Sequence, residues 1–132
     1  MARGLPDALQ LREIKYGAKT TAEERSKVAR LLAEVGRIAE ALDLFLLAGD
    51  EEGEAEIRRR AVSEGHPLLL LMLRRAGRDI PRDEWRRAAE AAERASRWRE
   101  AFRGYTEAGD ETGLERVRGE LPDYSIYTPQ GK

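Results

Sequence analysis

The stretch from Arg37-Ile38-Ala39-Glu40-Ala41-Leu42 through Ala48-Gly49-Asp50-Glu51-Glu52-Gly53 returns as Arg97-Trp98-Arg99-Glu100-Ala101-Phe102 through Ala108-Gly109-Asp110-Glu111-Thr112-Gly113. The offset is 60 residues throughout, without a gap. A repeat of this kind constrains the architecture more than any local signal, because both copies must adopt one supersecondary unit. Alanine, leucine, glutamate and arginine dominate residues 21–120, and all are strong helix formers. The expected fold is therefore all-α, a stack of about seven short helices.

Glycines and caps divide the stretch. Thr21-Ala22-Glu23-Glu24 has the form of a capping box, and Val28, Leu31, Leu32 and Val35 follow on one helical face. Gly36 ends that helix and Gly49 ends the next, whose inward residues are Ile38, Ala41, Leu42 and Phe45. Asp50 is placed to cap a third helix running to about Ser63. Gly65-His66-Pro67 opens a fourth, in which Leu68 to Leu73 is expected to be the most buried stretch. Pro81 begins a fifth with Trp85, Ala88, Ala89, Ala92 and Ala95 on one face. Trp98, Ala101, Phe102 and Tyr105 mark the sixth, and Leu114, Val117 and Leu121 the seventh.

The expected organisation is an N-terminal arm or helix over 1–20, a repeat domain over 21–121 and an extended tail over 122–132. Within the domain, copies at 21–63 and 81–121 are joined by 64–80. The tail carries Tyr124, Ile126, Tyr127 and Pro129, and such an aromatic segment docks either on its own domain or on a partner.

Composition narrows the class. Without cysteine, disulfides and thiolate metal sites are excluded. The longest apolar run is six residues, against roughly 20 for a membrane span. With no apolar leader at the N-terminus, a soluble cytoplasmic protein is expected. Lysine occurs only at 15, 19, 27 and 132, an arginine bias that fits a GC-rich bacterial genome. The net charge of −1 is unevenly spread: +2 over 1–20, −6 over 21–57, +6 over 58–99 and −3 over 100–132.

The spacing of small and aromatic residues resembles the tetratricopeptide repeat. Ala29, Leu32, Gly36, Ala41, Phe45 and Ala48 occupy its small, aromatic and glycine positions, matched in the second copy by Ala89, Ala92, Ser96, Ala101, Tyr105 and Ala108. Small residues let antiparallel helices approach, and an aromatic fills the gap between pairs. The chain departs from that family in its 60-residue period and in an Ala-Gly-Asp-Glu turn where the family closes with proline. The resemblance implies a short right-handed helical-hairpin repeat, an α-solenoid that binds a protein or peptide in the groove between helix pairs. It carries over no ligand-binding residues.

Chemistry is sparse. His66 is the sole histidine and has no second ligand beside it in sequence, so a loop or cap role is expected. The acidic turns at 50–54 and 110–113 lack the ligand pattern of a calcium loop and suit helix N-termini instead. Trp85 and Trp98 are expected in the core. No nucleophile–base motif or phosphate loop is present, so no enzyme activity, metal or cofactor is expected. The candidate partner-binding residues are Arg58, Arg59, Arg74, Arg75, Arg82 and Arg86, with Tyr124 and Tyr127. The arginines offer a second reading, a nucleic-acid or polyanion surface over 58–87, weighed down by a pI near 6.0. A third is a structural subunit of a larger assembly.

Overall fold

The computed structural model describes residues 5–121, and no strand occurs among them. Eight helices follow in order: α1 (Ala8–Tyr16), α2 (Ala22–Glu34), α3 (Ile38–Ala48), α4 (Glu51–Glu64), α5 (Pro67–Arg75), α6 (Arg82–Arg94), α7 (Trp98–Ala108) and α8 (Glu111–Arg118). The expectation of about seven is thus corrected to eight within the described residues. The additional helix, α1, nucleates on a capping box: Asp7 Oδ1 accepts from the Gln10 amide at 2.8 Å, and Gln10 Oε1 accepts from the Asp7 amide at 3.0 Å. The tail with Tyr124 and Tyr127 lies outside the described residues.

Eight is two sets of four. Adding 60 to the bounds of α2 and α3 returns the bounds of α6 and α7, and α8 begins 60 residues after α4. The likeness reaches further back than the obvious sequence match, since α1 and α5 start within one residue of the same offset and end before Gly17 and Gly77. The chain divides into two compact units between Arg58 and Arg59, so each unit holds one copy of the α2–α3 type hairpin.

In the first unit α2 packs on α3, and Ala29 and Leu32 of the one and Ala41, Leu42 and Phe45 of the other are buried. The α3 helix ends at Gly49 with φ +68°, and the Asp50 amide bonds back to the Phe45 carbonyl at 3.0 Å. This turn ends α3 and leads into α4 within two residues. It lays the first turn of α4 across the Phe45 ring, where Gly53 is required: a Cβ there would fall inside contact distance of the ring.

The second unit repeats this arrangement. Asp110 bonds to the Tyr105 carbonyl at 3.0 Å, and Gly113 lies against the Tyr105 ring. Its core joins Ala89, Ala92, Ala101, Tyr105, Leu114 and Val117, with Trp98 and Phe102 packed partly buried at its edge. Trp85 is buried as expected, whereas Trp98 is only half-buried. Leu69, Leu70, Leu71 and Leu73 of α5 are buried, but Leu68 is 52% exposed. Met72 is half-buried, so the stretch expected to be the most buried turns four of its six residues inward, since one helix cannot turn every side to the core.

Candidate functional site

The described surface contains a groove of about 640 Å³, lined by Ala22, Glu23, Ser26, Lys27, Arg30, Ala48 and Asp50. All seven belong to the first unit. Five lie on α2 at positions 22, 23, 26, 27 and 30, the spacing of a single helical face. Thr21 aligns that face by accepting from the Glu24 amide at 3.1 Å, while Glu24 Oε1 accepts from the Thr21 amide at 2.9 Å.

Asp50 forms the opposite corner. One carboxylate oxygen accepts from the Gly53 amide at 2.9 Å. The other accepts from the Ser26 hydroxyl at 2.8 Å and from Arg30 Nη2 at 3.3 Å. The Gly53 amide, then the Ser26 hydroxyl and the nearby Arg30 charge, hold the Asp50 carboxyl below its usual range. A carboxylate stabilised in this way is a weak base, and the Ser26 proton points at it as a hydrogen bond. The groove accordingly offers binding groups: donors on Lys27 and Arg30, an acceptor on Glu23, and apolar lining at Ala22 and Ala48. In the second copy Arg86 stands where Ser26 stands in the first. It pairs along its own helix with Glu90 at 3.3 Å and with Asp83.

None of the arginines singled out from sequence lines the groove. Arg58 and Arg59 lie on α4 and are engaged by other groups. Arg74 places Nη1 2.6 Å from Glu107 and its guanidinium 5.1 Å above the Trp85 ring. Arg75 ends α5 and Arg82 begins α6, both exposed. Arg86 is paired as described. Internal acids therefore already partner Arg74 and Arg86.

His66 is the N-cap residue of α5, its carbonyl accepting from the Leu69 amide at 3.0 Å while its side chain makes no capping hydrogen bond. Its Nδ1 lies 3.0 Å from Arg97 Nη1 and its Nε2 3.4 Å from Glu64 Oε1. Arg97 also donates to the carbonyls of Glu64 and, at 2.7 Å, Gly65, satisfying the end of α4. Among the described residues, no group of three His, Cys, Asp or Glu side chains could hold a metal ion. No described helix is long and apolar enough to cross a membrane.

A second cluster escapes a reading of either copy alone. The Tyr105 hydroxyl donates to Glu93 Oε1 at 2.5 Å, and Arg116 reaches Glu93 through Nε and Nη2, both at 3.0 Å. The first copy has Phe45, Ala33 and Glu56 at these positions. A hydroxyl, a carboxylate and a guanidinium thus appear together, a concerted change visible when the copies are aligned. Burial first, and the Glu93 carboxylate second, push the Tyr105 pKa up to about 12. An unfolded tyrosine ionises near 10, so this group's contribution to stability is complete below pH 10 and is lost as pH rises towards 12. Tyr105→Phe is expected to remove that loss. Denaturant unfolding between pH 8 and 12 should show wild-type stability falling more steeply above pH 10, by up to about 1.4 kcal/mol per pH unit. Parallel curves for the two proteins would contradict the assignment.

Compared with protein-family models, curated proteins and solved structures, the chain matches none.

Proposed function

We propose that the chain is a cytoplasmic protein-interaction adaptor. In this reading it is a short, right-handed, tetratricopeptide-repeat-like α-solenoid that accepts a segment of another protein between helix pairs. The observation that carries this reading is the groove beside α2, which combines two apolar lining residues with separated donors and an acceptor. Peptide recognition needs that mixture: apolar area supplies affinity and a few placed polar groups set the register. Lys27 favours a segment with at least one acidic side chain, with Arg30 beside it shared with Asp50. The work of such a protein is binding, with no catalytic step.

A photoreactive side chain at position 27 tests the groove. Cross-linking in the native cytoplasm is expected to give one stoichiometric protein adduct, suppressed by Arg30→Glu. Equal adduct yield from a probe at Arg103, on the second copy, would count against it. A polyanion surface over 58–87 is the weaker proposal, since Arg74 and Arg86 are drawn to Glu107, Asp83 and Glu90. It requires affinity that falls steeply with salt.

A further inference from the structure

Leu9, Arg12, Glu13 and Tyr16 on α1 are spaced i, i+3, i+4 and i+7, so they form one stripe along the helix. All four are exposed, Leu9 at 79% and Tyr16 at 70%. The opposite side of α1 holds it to its unit: Leu11 is buried, Lys15 pairs with Asp43 of α3, and Arg25 of α2 donates to the Ile14 carbonyl at 3.0 Å. In the second copy the same four positions are Leu69, Met72, Leu73 and Ala76. Leu69 is 6% exposed there and Leu73 fully buried. Met72 is half-buried and Ala76 exposed, so α5 turns two of these four positions into core where α1 turns none, and the α1 stripe has apolar residues at its ends and opposite charges at its centre.

The order of these residues is its own complement. A two-fold axis between Arg12 and Glu13 sets Leu9 against the partner's Tyr16 and Arg12 against the partner's Glu13. We infer that α1 pairs antiparallel with α1 of a second copy, through Leu9–Tyr16 contacts flanking two reciprocal Arg12–Glu13 ion pairs. An isologous contact needs such self-complementarity. A parallel pairing would oppose arginine with arginine and glutamate with glutamate, which is unfavourable. The stripe shares no residue with the groove. Helices of nine residues span only about 14 Å, and their contact falls short of the roughly 1,200–2,000 Å² of a standard interface. The dimer is accordingly weak and forms at high concentration.

Sedimentation equilibrium of the whole chain from about 10 µM to about 1 mM tests this. The average mass is expected to climb from one chain towards two and stop there. Arg12→Glu and Glu13→Arg, each alone, should weaken pairing by about tenfold or more, because each sets like charges together. The double reversal Arg12→Glu with Glu13→Arg restores the reciprocal pairs and should recover the wild-type association. Tyr16→Glu should abolish it with helicity by circular dichroism unchanged; if that variant unfolds, Leu9→Ser tests the same contact. Three results would overturn the inference. They are a one-chain mass at every concentration, a mass growing past two chains as in head-to-tail stacking, and a double reversal no better than the single changes.

Discussion

Gly65→Ala is expected to lower the folding free energy by about 2–5 kcal/mol, a large effect for one methyl group. Gly65 has φ +79°, in the left-handed region where a side chain is strained. Its Cβ would also fall 2.7 Å from the Ala91 carbonyl carbon and 2.8 Å from Ala92 Cα. These are backbone atoms of α6, which cannot swing aside as a side chain does. Gly77 separates the two causes: its φ is +93°, but a Cβ there meets nothing within 4 Å. Gly77→Ala should therefore cost only about 1–2 kcal/mol, the backbone strain alone. Urea unfolding of both variants checks the difference, and equal losses would mean the close approach of α6 carries no weight.

The second large effect is expected at Trp85. It is 2% exposed, with the Arg74 guanidinium above its ring while Arg74 itself is held by Glu107. Trp85→Ala removes that packing and the ring beneath the Arg74 guanidinium, at a cost of roughly 3–5 kcal/mol. Trp98 is half-buried at the edge of the second unit's core, so Trp98→Ala should cost roughly half as much. Thermal melts of the two variants give the ranking directly. If Trp98→Ala proved the more damaging, the arrangement of α6 and α7 described here would be wrong.

The Ala-Gly-Asp-Glu turns are the parts of the unit that the two copies share most closely. At Gly49 and Gly109 the same turn leads into an aspartate that caps the next helix, with the Gly53 amide 2.9 Å from Asp50 and the Gly113 amide 3.1 Å from Asp110. At Gly36 and its counterpart Ser96 the match is looser: Ser96 adopts φ +59° where the first copy has glycine. At position 104 the second copy has glycine in place of Leu44, which makes room for Pro67 of α5 beside Ala89. These departures mark where the two units have come to pack differently.

Helix boundaries, caps and the 60-residue register were legible in the chain itself. They depend on groups three to five residues apart, such as Thr21 with Glu24 or Gly49 with the turn it closes, so neighbouring letters suffice to read them. The groove and the Tyr105 cluster were not legible in this way. Ser26 meets Asp50 across 24 residues and Arg116 meets Glu93 across 23, and only the packing of one helix on another brings such groups within hydrogen-bond distance. The same holds for the apolar residues: Leu9 and Leu69 are one residue type at one place in the repeat, yet one is exposed and the other buried. What surrounds a side chain is a property of the assembled fold, and there the tertiary structure alone decides.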